Sequence, residues 1–101
     1  MPKQLPLMST YICLLRFTQK GAEKIKDSPK RAQSFNALAK KAGVKIEAQY
    51  WTVGAYDGVI MISSDTEKKA LHLLTQLAAA GNVRTETLQA FDDKEFAAIV
   101  R

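Results

Sequence analysis

The sequence predicts an α+β fold: a ferredoxin-like βαββαβ sandwich, with one four-stranded antiparallel sheet and both main helices on one face. Hydrophobic periodicity gives the order strand, helix, strand, strand, helix, strand. Right-handed crossovers convert that order into the split βαβ topology. The length of 101 residues, with 47% hydrophobic and 25% charged residues, is typical of a single globular domain.

The first strand is predicted over residues 9–17 and is apolar on both faces. One face carries Tyr11, Cys13, Leu15 and Phe17, and the other carries Ile12, Leu14 and Arg16. A strand that is apolar on both faces is normally covered on both. Because the helices cover only one face, we expect a second copy of the chain to cover the other, forming a dimer.

Two amphipathic helices are predicted. The first is predicted over residues 29–42, with Ser28 as its cap. Proline suits the first helical position because the N–H that it lacks would be unpaired there. Gly43 ends this helix in a left-handed conformation. Asp65 is expected to cap the start of the second helix, and Gly81 is expected to end it. The predicted buried stripe of the second helix consists of Ala70, Leu71, Leu74, Leu77 and Ala78.

A β-hairpin is predicted between the two helices. Strict alternation over residues 44–52 places Ala48 and Tyr50 inward, and residues 54–58 form the turn before a return strand over residues 59–63.

The fourth strand is predicted over residues 83–91. Arg84 and Glu86 are two apart and therefore share one face. They form either an interface ion pair or, for Arg84, a clamp for a ligand carboxylate. Asp92 with Glu95 has the spacing of a capping box, which predicts a short C-terminal helix.

Residues 1–7 have no periodicity and are expected to be a flexible extension before a single domain over residues 8–101. Cys13 is the only cysteine, so no intrachain disulfide is possible. The N-terminus lacks the apolar core of a signal peptide, and the apolar runs are shorter than the ~20 residues of a membrane span. We expect a cytoplasmic protein that has no membrane partner.

The formal net charge of +5 is concentrated in the first half of the chain. Lysines of a solvated helix explain it, and no aromatic residues are interleaved with them for base stacking. RNA-reading domains of this architecture carry aromatic residues on the third strand, which has none over residues 58–62. We expect no nucleic-acid partner.

Residues 50–57 read YWTVGAYD, an aromatic pair followed by a Gly-x-Tyr-Asp turn. This segment resembles the signature of the GYD domain family, as do residues 10–17, 25–29 and 81–87. The resemblance covers nearly the whole chain. It implies a small bacterial self-associating protein of the dimeric α/β-barrel type, in a family without a settled activity.

The Gly-x-Tyr-Asp turn has a structural and a functional interpretation. Gly54 can adopt a positive φ, and Asp57 can accept backbone N–H bonds across the turn. Alternatively, Tyr56 and Asp57 line a pocket beside Trp51, where the phenol donates a hydrogen bond and the carboxylate acts as a general base. The candidate ligand-binding residues are Trp51, Gly54, Tyr56, Asp57 and Arg84, and the candidate interface residues are Ile12, Leu14, Arg16 and Glu86.

No metal or cofactor is expected. His72, the only histidine, is predicted to face solvent, and Cys13 is predicted to be a small core residue. Three functions remain open. The favoured one is a self-associating module that binds a small organic or anionic ligand between sheet and helices. The others are a cofactor-independent monooxygenase or isomerase using Tyr56 and Asp57, and a structural or regulatory oligomer subunit.

Overall fold

The sheet and helices follow the predicted order in the computed structural model, which describes residues 8–101; the predicted extension over residues 1–7 lies outside them. The elements are β1 (Ser9–Phe17), α1 (Gln19–Glu23), a 3-10 turn (Ile25–Asp27), α2 (Ser28–Ala42), β2 (Lys45–Trp51), β3 (Gly58–Ser64), α3 (Glu67–Ala79), β4 (Val83–Ala90) and α4 (Asp93–Ile99). The strand order is β2-β3-β1-β4, and every neighbouring pair is antiparallel. The predicted ferredoxin-like α+β fold is confirmed.

Strand β1 is central, and its two faces are divided as predicted. Tyr11 and Cys13 are buried beneath α2 and α3, whereas Ile12 and Leu14 are half-buried on the opposite side. We call the first side the helix face and the second the open face. The core on the helix face consists of Tyr11, Cys13, Phe35, Ala39, Val44, Ile60, Ile62, Ala70, Leu73 and Leu74.

A β-bulge interrupts β2. Ile46 pairs with Ile62, but Ala48 pairs with Met61, so Glu47 is an extra residue in the ladder. The bulge reverses the alternation that follows it, and the prediction that Ala48 and Tyr50 point inward is wrong. Both lie on the open face, opposite Met61 and Val59, and Trp51 lies on the helix face instead.

The helix ends differ from the prediction at two caps. Helix α2 already includes Ser28, and the residue before it, Asp27, makes no side-chain cap bond. Ser28 is therefore free to bond elsewhere. Helix α3 is capped by Thr66, which accepts a hydrogen bond from the Lys69 amide, and not by Asp65. Gly43 does end α2 in the left-handed region, with φ 77°.

The buried stripe of α3 is centred one residue away from the prediction. Leu73 is fully buried, whereas Leu71 is 46% exposed. Ala78, also predicted to be buried, is exposed. Ala70 and Leu74 are buried as expected, and Leu77 packs against the core. The helix is thus rotated slightly relative to the sequence pattern.

Helix α1 fastens the end of β1 to the loop between α3 and β4. Thr18 donates from its backbone amide to the Asn82 carbonyl at 3.1 Å and from its hydroxyl to the Gly81 carbonyl at 2.7 Å. Gly21 is buried directly against the Asn82 backbone, where a Cβ atom would overlap the carbonyl. A side chain at position 21 would therefore force this loop away.

The open face has no layer over it within residues 8–101. Its side chains include those of Thr10, Ile12, Leu14, Arg16, Ala48, Tyr50, Val59, Met61, Arg84, Glu86 and Leu88. Six of these are large and apolar or aromatic, so the face is suited to contact with another surface.

Among the residues that the structure describes, no helix has both the length and the apolar character needed to cross a membrane.

Candidate ligand-binding cleft

A cleft of about 220 Å³ opens between the helix face and helices α2 and α3, near the end of the sheet that carries the β2–β3 hairpin. Most of its lining is apolar. The apolar walls are formed by Leu15, Phe17, Phe35, Leu38, Ile60, Leu77 and Val83. Mostly apolar walls with a few placed polar groups are typical of small-molecule sites.

Trp51 borders the cleft because the bulge in β2 turns it to the helix face. Its indole Nε1 donates a hydrogen bond to the Ser28 hydroxyl at 2.9 Å. Ser28 is buried at the start of α2, so the bond fixes the indole between β2 and that helix. Half of the Trp51 surface remains exposed and accessible to a ligand.

Asp57 borders the same cleft at the start of β3. Its Oδ2 accepts a hydrogen bond from the Phe17 amide at 2.8 Å, and its own amide donates to the Leu15 carbonyl at 2.8 Å. Its carbonyl accepts from the Thr52 amide at 2.9 Å, which closes the hairpin loop. Asp57 is thus a structural residue of the turn that also presents a carboxylate to the cleft.

The remaining polar lining includes one guanidinium, that of Arg31. Arg31 is held in place because it donates to the carbonyls of Lys24 at 2.9 Å and Gly21 at 3.3 Å. Gln49, Gln76 and Asn82 add amide groups. The cleft therefore combines an apolar body with a carboxylate, a guanidinium and neutral hydrogen-bonding groups.

Tyr56 lies on the other side of the sheet. The Arg16 guanidinium carbon stands 4.6 Å from the centre of the Tyr56 ring, and the phenol donates to Glu86 Oε2 at 3.1 Å. Arg16 also donates from Nε to the Ala55 carbonyl at 2.9 Å. Arg84 pairs with Arg16 in the β1–β4 ladder and so joins this group on the open face.

The five predicted ligand-binding residues are therefore not gathered in one place. Trp51 and Asp57 border the cleft, Tyr56 and Arg84 lie on the open face, and Gly54 lies at the exposed hairpin tip. Gly54 has the positive φ expected for it, 141°. Because Tyr56 and Asp57 border different cavities, the phenol and the carboxylate do not face a common substrate position.

The four predicted interface residues share the open face. Ile12 and Leu14 are half-buried there, and Arg16 and Glu86 are exposed beside Tyr56.

The histidine and the cysteine lie outside the cleft. His72 is exposed, as predicted. Cys13 is fully buried, and this burial raises the pKa of its thiol; a weak hydrogen bond from Thr87, with a donor–sulfur distance of 3.9 Å, opposes the rise. Within residues 8–101, no cluster of three His, Cys, Asp or Glu side chains is arranged to hold a metal ion.

Ser28, Arg31 and Gln49 border the cleft without having been identified from sequence. Ser28 has the pattern of a helix cap, and only the tertiary structure shows its bond to Trp51. Gln49 has an outward position under strict alternation, and the bulge brings it inward. No sequence signal distinguishes Arg31 from the solvated lysines around it.

Comparison with known structures confirms the fold. The 30S ribosomal protein S6 from Thermotoga maritima superposes with a TM-score of 0.60 at 16% identity, over 94% of this chain and 100% of that chain. The crystal structure of a Thermus thermophilus protein gives a TM-score of 0.52 at 24% identity, over 83% of this chain and 94% of that chain.

Sequence comparison identifies the family. A Thermus thermophilus protein named glutamine synthetase and cystathionine beta-lyase binding protein is 34% identical over 84 residues, which are 82% of this chain and 88% of that protein. The sequence model of the GYD domain matches residues 11–100. The chain therefore belongs to the GYD domain family.

Proposed function

We propose that this GYD domain is a self-associating binding module whose cleft takes a small organic molecule. The observation that carries this function is the cleft itself, with apolar walls and fixed polar groups at Trp51, Asp57 and Arg31. Its volume of about 220 Å³ is below the ~300–1,000 Å³ of sites for drug-sized ligands. The ligand is therefore the size of a small metabolite.

The lining restricts the chemistry of the ligand. An apolar or planar body fits against the half-exposed indole of Trp51 and the aliphatic walls. A carboxylate on the ligand would pair with Arg31, whose planar guanidinium matches it, whereas an amine or hydroxyl would pair with Asp57. The expected ligand is therefore a small molecule with an apolar body and one charged end, which pairs with either Arg31 or Asp57.

The open face supports the proposed self-association. Ile12 and Met61, which pair with each other across β1 and β3, are only half-buried in the single chain, and a two-fold axis allows this part of the open face to cover an identical one. This arrangement places the cleft on the outside of the pair, where a ligand can reach it. We place the module in the cytoplasm.

Trp51 fluorescence tests the ligand site. Titration of purified protein with a panel of small carboxylic acids and amines should quench or shift the emission and raise the melting temperature for at least one member. Ala32 lines the cleft, so Ala32→Phe should fill it and abolish the response while the protein stays folded. Ala37→Phe makes the same change at an exposed position of α2 that does not line the cleft, and it should leave the response unchanged.

A response that persists in Ala32→Phe would contradict binding in the cleft. A panel that produces no response in the unmodified protein, at concentrations up to millimolar, would exclude the small-molecule function for these chemical classes.

A second candidate function is docking onto a metabolic enzyme. It is favoured by the name of the 34% identical relative, which describes binding to glutamine synthetase and cystathionine beta-lyase. Co-sedimentation with each purified enzyme tests it. A stable complex that forms equally well with Ala32→Phe would assign the interaction to a surface other than the cleft, and the absence of any complex would reject this function.

A further inference from the structure

Helix α4 lies apart from the rest of the described chain. Residues 91–101 are all exposed, and the hydrogen bonds made by α4 and its caps stay within residues 92–100. The radius of gyration is 15.1 Å and the longest dimension is 55 Å, whereas a compact chain of this length has a radius of gyration of about 13 Å. The helix extends the molecule beyond its core.

The helix nevertheless has the features of a packed element. A complete capping box fixes its start, with Asp92 accepting from the Glu95 amide at 2.8 Å and Glu95 accepting from the Asp92 amide at 2.9 Å. Phe96, Ile99 and Val100 follow at helical spacing and form one apolar stripe, with exposures of 55%, 57% and 63%. An isolated helix of seven residues is marginal in water, so contact of its apolar stripe with another surface would stabilise it.

A hollow of matching character lies at the hairpin end of the open face. It measures about 360 Å³ and is almost entirely apolar; its lining comprises Leu14, Thr52, Val53, Ala55, Tyr56, Gly58 and Val59. Arg16 and Arg84 lie beside it, directly opposite each other on β1 and β4. Like charges in this position repel each other, and the one carboxylate in this group, that of Glu86, leaves a net positive charge that an acidic partner can compensate.

The first turn of α4 is acidic, with Asp93 and Glu95 following the cap residue Asp92. Apolar stripe and acidic turn on the helix thus complement the apolar hollow and the arginine pair. Helix α4 cannot reach the arginine pair of its own chain. Arg84 is near the start of β4 and α4 follows the end of that strand, so the two are separated by about 20 Å along β4.

We propose that α4 of one copy docks into the open-face hollow of a second copy, and reciprocally, with its apolar stripe over Leu14 and Val59 and Asp93 beside Arg84. A two-fold axis perpendicular to the strands brings the end of β4 in one copy next to the start of β4 in the other. This exchange rests on the self-association proposed above and adds a defined contact to it.

A charge swap tests the contact between Asp93 and Arg84. Arg84→Glu and Asp93→Lys should each raise the dimer dissociation constant about fivefold, measured by sedimentation equilibrium, and the double variant should return to within about twofold of the unmodified protein. Because the two residues are too far apart within a chain, such a rescue can arise only between copies. A double variant as weak as the sum of the single variants would overturn the contact.

A matched pair of substitutions tests the apolar stripe. Phe96→Asp should raise the dissociation constant at least ~10-fold, whereas Ala98→Asp, on the opposite side of the same helix, should change it less than about threefold. Circular dichroism checks that both variants fold. Equal effects of the two substitutions would overturn the exchange.

The outcomes separate this inference from the proposed function. A dimer of full affinity in Phe96→Asp would overturn the docking of α4 and leave self-association intact. A purified chain that stays monomeric at high micromolar concentration would overturn both. Loss of binding to glutamine synthetase in Phe96→Asp, with unchanged dimerisation, would reassign α4 to the enzyme and also overturn the exchange.

Discussion

The Asp57 carboxylate accepts a hydrogen bond from the Phe17 amide at 2.8 Å. This bond lies just past the last residue pair between β1 and β3, Leu15 with Gly58. The side chain therefore replaces the strand carbonyl that the hairpin turn removes from the ladder. This one bond holds the end of the central strand against the loop and explains why an aspartate serves at the turn.

Removal of this bond should destabilise the fold. We expect Asp57→Ala to lower the free energy of unfolding by about 1–3 kcal/mol, because the Phe17 amide loses its partner. Asp57→Asn keeps an oxygen acceptor and should cost less than about 1 kcal/mol. Urea denaturation measures both. If Asp57→Asn is as destabilising as Asp57→Ala, the bond depends on the charge rather than on an acceptor atom.

Gly21→Ala should be strongly destabilising. In an unobstructed helix this change would stabilise by about 1 kcal/mol, but at position 21 the new methyl group meets the Asn82 carbonyl. We expect a net loss of about 2–3 kcal/mol in thermal or urea unfolding. Gly54→Ala provides the comparison, because that site has open space and only its φ of 141° is unfavourable; its loss should be about 1 kcal/mol. A neutral Gly21→Ala would show that the Asn82 loop moves freely.

Cys13 should make stability depend on alkaline pH. Burial raises the pKa of the folded thiol above its ordinary value of 9.0, so the unfolded chain loses this proton at a lower pH than the folded one. Stability should be insensitive to Cys13 well below pH 9 and should fall as the pH rises through and above that value. In Cys13→Ala, the contribution of this thiol to the fall of the unfolding free energy with rising pH should be absent. Rapid labelling of the native thiol by Ellman's reagent at about pH 8 would contradict the burial.

Ser28→Ala should alter the environment of Trp51. Loss of the 2.9 Å bond from the indole Nε1 should cost about 0.5–1.5 kcal/mol and shift the Trp51 emission, because the indole is freed to turn toward water. Gln33→Ala, at an exposed position of α2 that does not line the cleft, should leave the spectrum unchanged. An unchanged spectrum in Ser28→Ala would show that packing alone fixes the indole.

Much of the fold is predictable from the sequence because it follows from periodicity and turn chemistry. The two apolar faces of β1, the left-handed Gly43 and the capping box of α4 are local patterns, and each is found as predicted. The order of strands and helices with right-handed crossovers then leaves few topologies. The cap of α3 differs by one residue because Thr66 and Asp65 are both good cap residues.

The candidate site is less predictable because it depends on one irregularity. The extra residue Glu47 is not visible in the alternation of β2, yet it decides which side Tyr50, Trp51 and Gln49 face. A tight turn likewise separates two adjacent residues, so that Tyr56 and Asp57 border different cavities although they are neighbours in the chain. The sequence motif therefore locates the hairpin turn, but it does not show which side of the sheet each of its side chains faces.

The bulge has a consequence for comparing chains of different length. Trp51 and Tyr50 lie on opposite faces of the sheet. Which face each occupies depends on Glu47, the extra residue of the bulge in β2. In a homologue that lacks this insertion, the two aromatic residues would exchange sides of the sheet, with the tyrosine facing the cleft and the tryptophan facing the opposite surface. Residue spacing upstream of the pair, rather than the pair itself, is therefore the feature to align.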